Sequence, residues 1–507
     1  MKKRTLVSLL VCIMLVFSLA ASAEEQSAQD PSEEDKIYYA ADSWMYPSLN
    51  PHIDYQGWMD IGYGNVEMLF HIEPDGSVVP WLAEDAVSNE DGSVWTIHLK
   101  DNVVFSDGTK VDAAQVIANL EDIAEKNSRY GFLDGAEYEA EDEFTVVVTL
   151  IEPYYTLPND LADPDASIIK MGEGEDLDLA PISTGAFIVT EFVPEQKVVL
   201  AKNENYWNGE PQIDGAVITY VPQQDSQTMA MQNGEISSLS SPSAEALEIF
   251  GADPDNYEIV YSATSRLYMY YLNFETLEES QRKAIIPAVT VDDFATVMNG
   301  LVVPAEGPFL PSTAFGKAAG AEHGIDAAKA TLEADGYVLN SDGYYEKDGK
   351  VPELRLCYYP ARSLDKLAAL MQEQLKKAGI KALPESHDDP DAEYVTTGDF
   401  EIGLYNLVSA PSGDPYYFLN LTMGDGPYNA GHYENAEVKE KLAALAGESD
   451  TDKRAELSNA MVQQAIDDYA YGYLGFVVKA TVLQKGVHNV GEDNPYHGGL
   501  NVDSVME

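Results

Sequence analysis

The chain has 507 residues, enough to bury several cores, so two or three domains are expected. Its 30 Lys and Arg stand against 86 Asp and Glu, a formal net charge of −56, which excludes nucleic acid and anionic membrane surfaces as natural partners. Hydrophobic residues at 45% and 31 tyrosines argue against a disordered chain despite that charge.

Lys2, Lys3 and Arg4 precede an apolar run from Leu6 to Ala21, and Ala21-Ser22-Ala23 supplies the small residues of a cleavage site. Residues 1–23 therefore read as a cleavable export signal, too short and wrongly flanked for a membrane anchor. Cys12 follows Leu9-Leu10-Val11, which lacks the small residue expected before a lipid-modified cysteine. Once the signal is removed Cys357 is the remaining cysteine, so no intrachain disulfide and no CxxC site can form. Residues 24–36, rich in Glu, Gln, Ser and Asp, read as a flexible tether. The expected location is outside the cytoplasm: periplasmic, or extracellular and cell-surface associated.

Ile37–Ala40 has the pattern of a buried strand, and Ser48-Leu49-Asn50-Pro51-His52 that of a turn with proline at its corner. A lone histidine beside proline, His52, reads as an exposed turn residue. Asn89–Ser93 is a turn cluster, after which Trp95, Ile97 and Leu99 point inward while Thr96, His98 and Lys100 point outward. Asp112 is placed to cap a helix with an apolar stripe at Val116, Leu120 and Ile123. Phe144–Leu150 alternates again, so this region reads as a small α+β subdomain. Pro181–Asp214 predicts a β-hairpin, Ala186–Phe192 and Lys197–Ala201, plugged by Tyr206 and Trp207. Ile213–Pro222 continues as strand, and Gln224–Gly234 as a helix with a glycine cap. In Leu267–Asn273 the tyrosines Tyr268, Tyr270 and Tyr271 face opposite sides of a strand, so some are structural and some face a cleft.

Asp326–Asp335 reads as a short helix, and Asn340–Lys350 as a hairpin with two Asp-Gly turns. Leu364, Leu367, Met371, Leu375 and Ala378 recur at helical spacing before a strand from Ile380 to Leu383, a strand-helix-strand unit that implies parallel pairing. Glu385–Glu393 carries His387, Asp388, Asp389 and Asp391; without the spacing and glycine of a calcium loop it reads as a solvated loop. After the strand Phe400–Leu407 comes Ser409-Ala410-Pro411-Ser412-Gly413-Asp414-Pro415, then two amphipathic helices and an apolar strand, Tyr473–Val482. HExxH, G-x-S-x-G and P-loop motifs are absent, so nothing supports catalysis.

The run Ser183-Thr184-Gly185-Ala186-Phe187, followed by Asn203-Glu204-Asn205-Tyr206-Trp207-Asn208-Gly209-Glu210-Pro211, resembles the signature of the family 5 solute-binding proteins of ABC importers, which capture oligopeptides, dipeptides or nickel. Ala186 stands where that family usually has proline. The segment from Trp81 to Leu120 resembles the same family nearly throughout, with Lys100 in place of arginine, and the likeness extends over roughly Ile37 to Val490. It implies an α/β, periplasmic-binding-protein-like type II fold: two lobes joined by a hinge, with an extra α+β subdomain in the first lobe. The implied boundaries are 37–78 and 179–265 for the core of the first lobe, 79–178 for the subdomain, 266–472 for the second lobe, and 473–507 for the return to the first.

The resemblance implies the substrate-binding component of an ABC importer: a monomer without cofactor, which captures an extracytoplasmic peptide between its lobes and delivers it to a permease. Alternatives are a nickel or metal-chelate binding protein, or a peptide-signal receptor. The ligand contacts it implies are Ser48, Asn50, Tyr268, Tyr270, Asn406, Ser409, Ala410, Pro411, Asp414 and His432. Peptide-binding relatives often place an aspartate where Pro411 stands, to pair with the peptide amine. Nickel-binding relatives tend to supply arginine in the region Leu157–Met171, which has none here and so inclines the reading to peptide. His432 is the first candidate for a metal or ligand contact.

Overall fold

The structure, a computed structural model, describes residues 36–491 and 498–507. The expected export signal and Cys12 lie outside the described residues, as does the tether up to residue 35. Among the described residues no helix is long and apolar enough to cross a membrane.

The first strand, β1 (Ile37–Asp42), enters the core at Tyr38 and Ala41. The subdomain follows: β2 (Ala83–Ser88), β3 (Val94–Leu99), helix α1 (Ala113–Lys126), β4 (Glu137–Asp142) and β5 (Thr145–Thr149). Its strands form an antiparallel sheet in the order β2-β3-β5-β4. The alternation seen in the sequence holds: Trp95, Ile97 and Leu99 are buried, whereas His98 is only half-buried and its Nδ1 meets Asp85 Oδ1 at 2.6 Å. Asp112 caps α1 by accepting from the Gln115 amide at 2.9 Å, and Val116, Leu120 and Ile123 complete the subdomain core.

The predicted hairpin forms as β6 (Phe187–Val193) and β7 (Lys197–Lys202), with Glu195 at φ 56° in the turn. The aromatics after it close on a carboxylate the sequence did not reveal. Glu67 accepts hydrogen bonds from Trp81 Nε1 (2.9 Å), Tyr206 Oη (2.7 Å) and Trp207 Nε1 (2.9 Å). Burial pushes the Glu67 pKa up, and these donors hold it down, so the plug is polar at its centre. Glu67→Gln places an NH₂ against groups that only donate or prefer to. The substitution is expected to cost about 2 kcal/mol in urea unfolding, and a change below about 0.5 kcal/mol would show the three bonds to be dispensable.

The sheet then extends through β8 (Gly215–Tyr220), β9 (Ser238–Ser240), β10 (Tyr257–Leu272), β11 (Glu353–Tyr358), helix α2 (Leu364–Lys377), β12 (Lys381–Ser386), β13 (Ile402–Val408) and β14 (Tyr471–Gln484). Its strand order is β12-β11-β13-β10-β14-β9-β1-β8-β7-β6, with Val302–Val303 added beside β14. The unit β11-α2-β12 pairs in parallel, as the apolar spacing of α2 required. Two long antiparallel strands, β10 and β14, run through both halves of this sheet. Their register runs from Tyr257↔Gln484 to Ala263↔Val478 and resumes at Leu267↔Phe476, so Thr264, Ser265 and Arg266 stand against Val477 alone. Such a bulge bends and twists a strand pair locally. Separate hydrophobic cores lie on either side of it, one set around Phe187 and Phe250, the other around Tyr271 and Leu356.

Candidate ligand-binding site

The two halves meet at the loop that carries Ser412 and Gly413. Asn159 Nδ2 donates to the Ser412 carbonyl at 3.0 Å, and a Cβ added to Gly413 (φ +69°) would lie 2.7 Å from the Gly76 carbonyl oxygen. Glycine is required there, because the backbones approach too closely for any side chain. Tyr417, 51% exposed, lies within the fields of Tyr55 and Arg129 from the opposite wall.

Arginine use marks the site most clearly. Of the arginines described, Arg129 pairs with Asp163 and Asp165, Arg355 with Asp399 and Glu401, and Arg454 with Asp414. Arg282 lies over the Phe274 ring, donates to the Leu277 carbonyl and is in the fields of Glu279 and Asp468. Arg266, in the bulge, and Arg362, before α2, have no ion-paired acid among the described residues, although the chain carries 86 acids. The nearest polar contact of Arg266 is Nη1 to Asn406 Oδ1 at 3.4 Å. Its pKa is lowered first by burial and then by Arg362, so two like charges share a partly dehydrated space. Tyr268 and Tyr359 lie in the fields of both arginines, and Tyr55, from the other half, in that of Arg266.

The opposite charge lies beyond Tyr359, whose ring centre is 6.0 Å from that of Tyr405. Asp391 Oδ1 accepts from Tyr405 Oη at 2.6 Å, and burial followed by Asp391 raises the Tyr405 and Tyr428 hydroxyls. Tyr359 lies in the fields of Arg362, Arg266 and Asp391 together. The arginine pair is thus a cationic pole and Asp391 an anionic one, with Tyr359 within reach of both.

On the first-half wall, Arg129 bridges Asp163 (2.6 Å) and Asp165, and its guanidinium lies 5.0 Å from the centre of the Tyr55 ring. The segment Leu157–Met171 has no arginine in sequence, yet Arg129 reaches into it from the preceding 3₁₀ helix. Burial pushes the Asp160 pKa up to about 7, with Asp163 and Asp414 acting in the same direction. The folded state therefore holds a proton that the unfolded chain releases near pH 4, and this stabilisation is lost as pH rises through about 7. Thermal melts are expected to fall between about pH 4 and 7, and Asp160→Asn to flatten that slope by up to about 1.4 kcal/mol per pH unit. An unchanged slope in that variant would remove Asp160 as the cause.

The residues singled out from sequence fare differently. Tyr268 Oη donates to the Arg362 carbonyl at 2.8 Å, and Asn406 lies against Arg266, so both border the cationic pole. Ser409 is fully buried and its Oγ donates to the Ser265 carbonyl at 3.0 Å, tying its loop to the bulge. Ala410 is buried, Pro411 half-buried, and Asp414 is engaged by Arg454. Ser48 donates to Asp178 Oδ1 at 2.7 Å, and buried Asn50 accepts from the His52 amide, so both side chains hold their loop.

Tyr270 is corrected: it is 1% exposed in the second-half core, packed over Gly472, where a Cβ would collide with its ring. His432, at φ 54°, packs against Gly398 and joins no cluster of metal-ligating side chains among the described residues. His52 is also corrected. It is 1% exposed, not a surface turn residue; its Nδ1 meets Asp122 Oδ2 at 2.8 Å and its Nε2 the Ser167 carbonyl at 3.0 Å. Sequence reasoning missed Arg266, Arg362, Asp391, Tyr359 and Tyr405. A charged residue beside an aromatic strand was the signal for Arg266; the others had none.

Comparison with known proteins accords with this geometry. The Nickel-binding periplasmic protein of Escherichia coli K12 is 25% identical over 96% of this chain and 95% of its own length. The Glutathione-binding protein GsiB of Salmonella paratyphi A is 28% identical over 77% of this chain and 78% of its own. The crystal structure of a nickel ABC transporter from Bacillus halodurans superposes with a TM-score of 0.85 at 26% identity, covering 93% of this chain and 100% of that one. Residues 77–430 match the family described as bacterial extracellular solute-binding proteins, family 5. With that match spanning well over half of the sequence, and a two-lobed α/β fold around a facing cleft, the chain belongs to the family 5 solute-binding proteins and serves as the substrate-binding part of an ABC transporter.

Proposed function

We propose that the solute is a small zwitterion of short-peptide size, its carboxylate held by Arg266 and Arg362 and its amine by Asp391, with tyrosines against the part between. The supporting observation is the uncompensated arginine pair: cations without counterions in a chain of this acidity are balanced by a ligand's charge. Proline at position 411 and the engagement of Asp414 by Arg454 leave Asp391 as the acid that serves the amine. The lobes close about the bulge in β10, and the solute leaves unaltered to the permease. The protein acts as an exported monomer without a cofactor and has no catalytic role.

A second reading is favoured by one observation. Arg129 stands in the region where nickel-binding relatives tend to supply arginine, which weakens the sequence-based preference for peptide. The test is thermal shift with di- and tripeptides bearing free termini, with their C-terminal amides and N-acetyl forms, and with Ni²⁺ plus L-histidine. Free peptides are expected to raise the melting temperature, and either capped form to do so much less. A shift with Ni²⁺ and L-histidine but none with peptide would replace the first reading by the second.

A further inference from the structure

We propose that Cys357, Glu385 and His387 form a binding site for one zinc-class divalent ion, separate from the residues assigned to the solute. Cys357 and Glu385 are direct partners in the parallel pair β11–β12, so their side chains emerge on the same face. His387 follows the end of β12, anchored by its amide to the Tyr358 carbonyl at 2.8 Å. One donor atom from each of the three lies within 4.8 Å of the others. Cys357 Sγ is 3.9 Å from Glu385 Oε2 and 3.9 Å from the Asp399 carbonyl oxygen, the long contacts of a weak S–H donor.

The histidine gives a second, independent pointer. Its Nδ1 lies 2.9 Å from Glu393 Oε2, a partner that in the neutral ring holds the proton on Nδ1 and leaves the lone pair at Nε2. Nε2 is buried and has no hydrogen-bond partner. A carboxylate behind a histidine with the far nitrogen free is the arrangement that orients imidazole for a metal. Without an ion, that lone pair is a buried acceptor left unsatisfied, which is unfavourable.

Thiolate, imidazole and carboxylate together suit tetrahedral zinc, with the fourth position left to the Asp399 carbonyl or water. Bonds of about 2.0–2.3 Å give a tetrahedron with edges of roughly 3.3–3.8 Å, so the donors need to draw in by at most about 1.5 Å. Burial pushes the Cys357 thiol up to about 12, so the empty site holds a neutral thiol. Binding releases that proton into solution, and affinity therefore rises with pH.

Titration of the purified protein with Co²⁺ tests this directly, because Cys357 is the one cysteine outside the leader stretch. One equivalent is expected to give a thiolate-to-cobalt charge-transfer band that Zn²⁺ abolishes. The band should vanish in Cys357→Ser, be lost or at least tenfold weaker in His387→Gln, and persist in Arg266→Ala, which impairs only the solute site. Absence of a band in the native protein, or its survival in Cys357→Ser, overturns the proposal. His387 is partly exposed, so His387→Gln is expected to fold even if the buried cysteine variant does not. Undiminished cobalt affinity in a folded His387→Gln protein overturns the proposal by itself.

Discussion

Arg454→Ala is expected to destabilise the protein by about 3–5 kcal/mol, because it strands a carboxylate in the interior. Arg454 Nε and Nη2 donate to the two oxygens of Asp414 at 2.8 and 2.7 Å, and Nη1 donates to the Leu445 and Glu448 carbonyls at 2.8 and 2.7 Å. Both residues are nearly inaccessible, at 5% and 7% exposure, so water cannot replace the lost donors. Asp414 also accepts from the Tyr416 amide, and its loop meets the other half of the molecule at Ser412 and Gly413. Urea unfolding with and without solute measures both consequences. The double variant Arg454→Met with Asp414→Asn should recover part of the loss, since no unpaired charge remains. A single-variant cost below about 1 kcal/mol would show that the loop relaxes enough to hydrate Asp414.

Arg266→Ala is expected to weaken capture of free-terminus peptides by about 2–4 kcal/mol, roughly 30- to 1,000-fold in Kd, with little loss for their C-terminal amides. The solute-free protein should be as stable as before or slightly more so, because the substitution removes a cation confined beside Arg362. Opposite signs in stability and affinity separate a binding role from a structural one. Isothermal titration of both peptide forms against both proteins reads the difference. Equal losses for acid and amide would show that Arg266 does not meet the carboxylate.

The resemblance to family 5 proteins, read from the runs around Gly185 and Trp207 and from Trp81 to Leu120, was sufficient for family and fold. It did not single out the arginine pair at Arg266 and Arg362. Side chains chosen as contacts on family grounds, such as Ser48, Ser409 and Asp414, turn out to have their polar atoms satisfied within the protein. The residues left with unbalanced charge, Arg266 and Arg362, are distinguished only by what does not surround them.

The sequence by itself determined the local elements: alternation in β3 buried Trp95, Ile97 and Leu99, Asp112 began a helix, and the turn at Glu195 closed a hairpin. Each rests on periodicity or on bonds spanning a few residues, which neighbouring positions can specify. Only the tertiary structure decided that His52 is buried against Asp122, that Arg129 serves Asp163 and Asp165, and that Asp414 meets Arg454 across 40 positions. These partners are far apart along the chain and close in space. Pairing among 86 acids and 30 basic residues has no sequence period, and packing alone selects which of them meet.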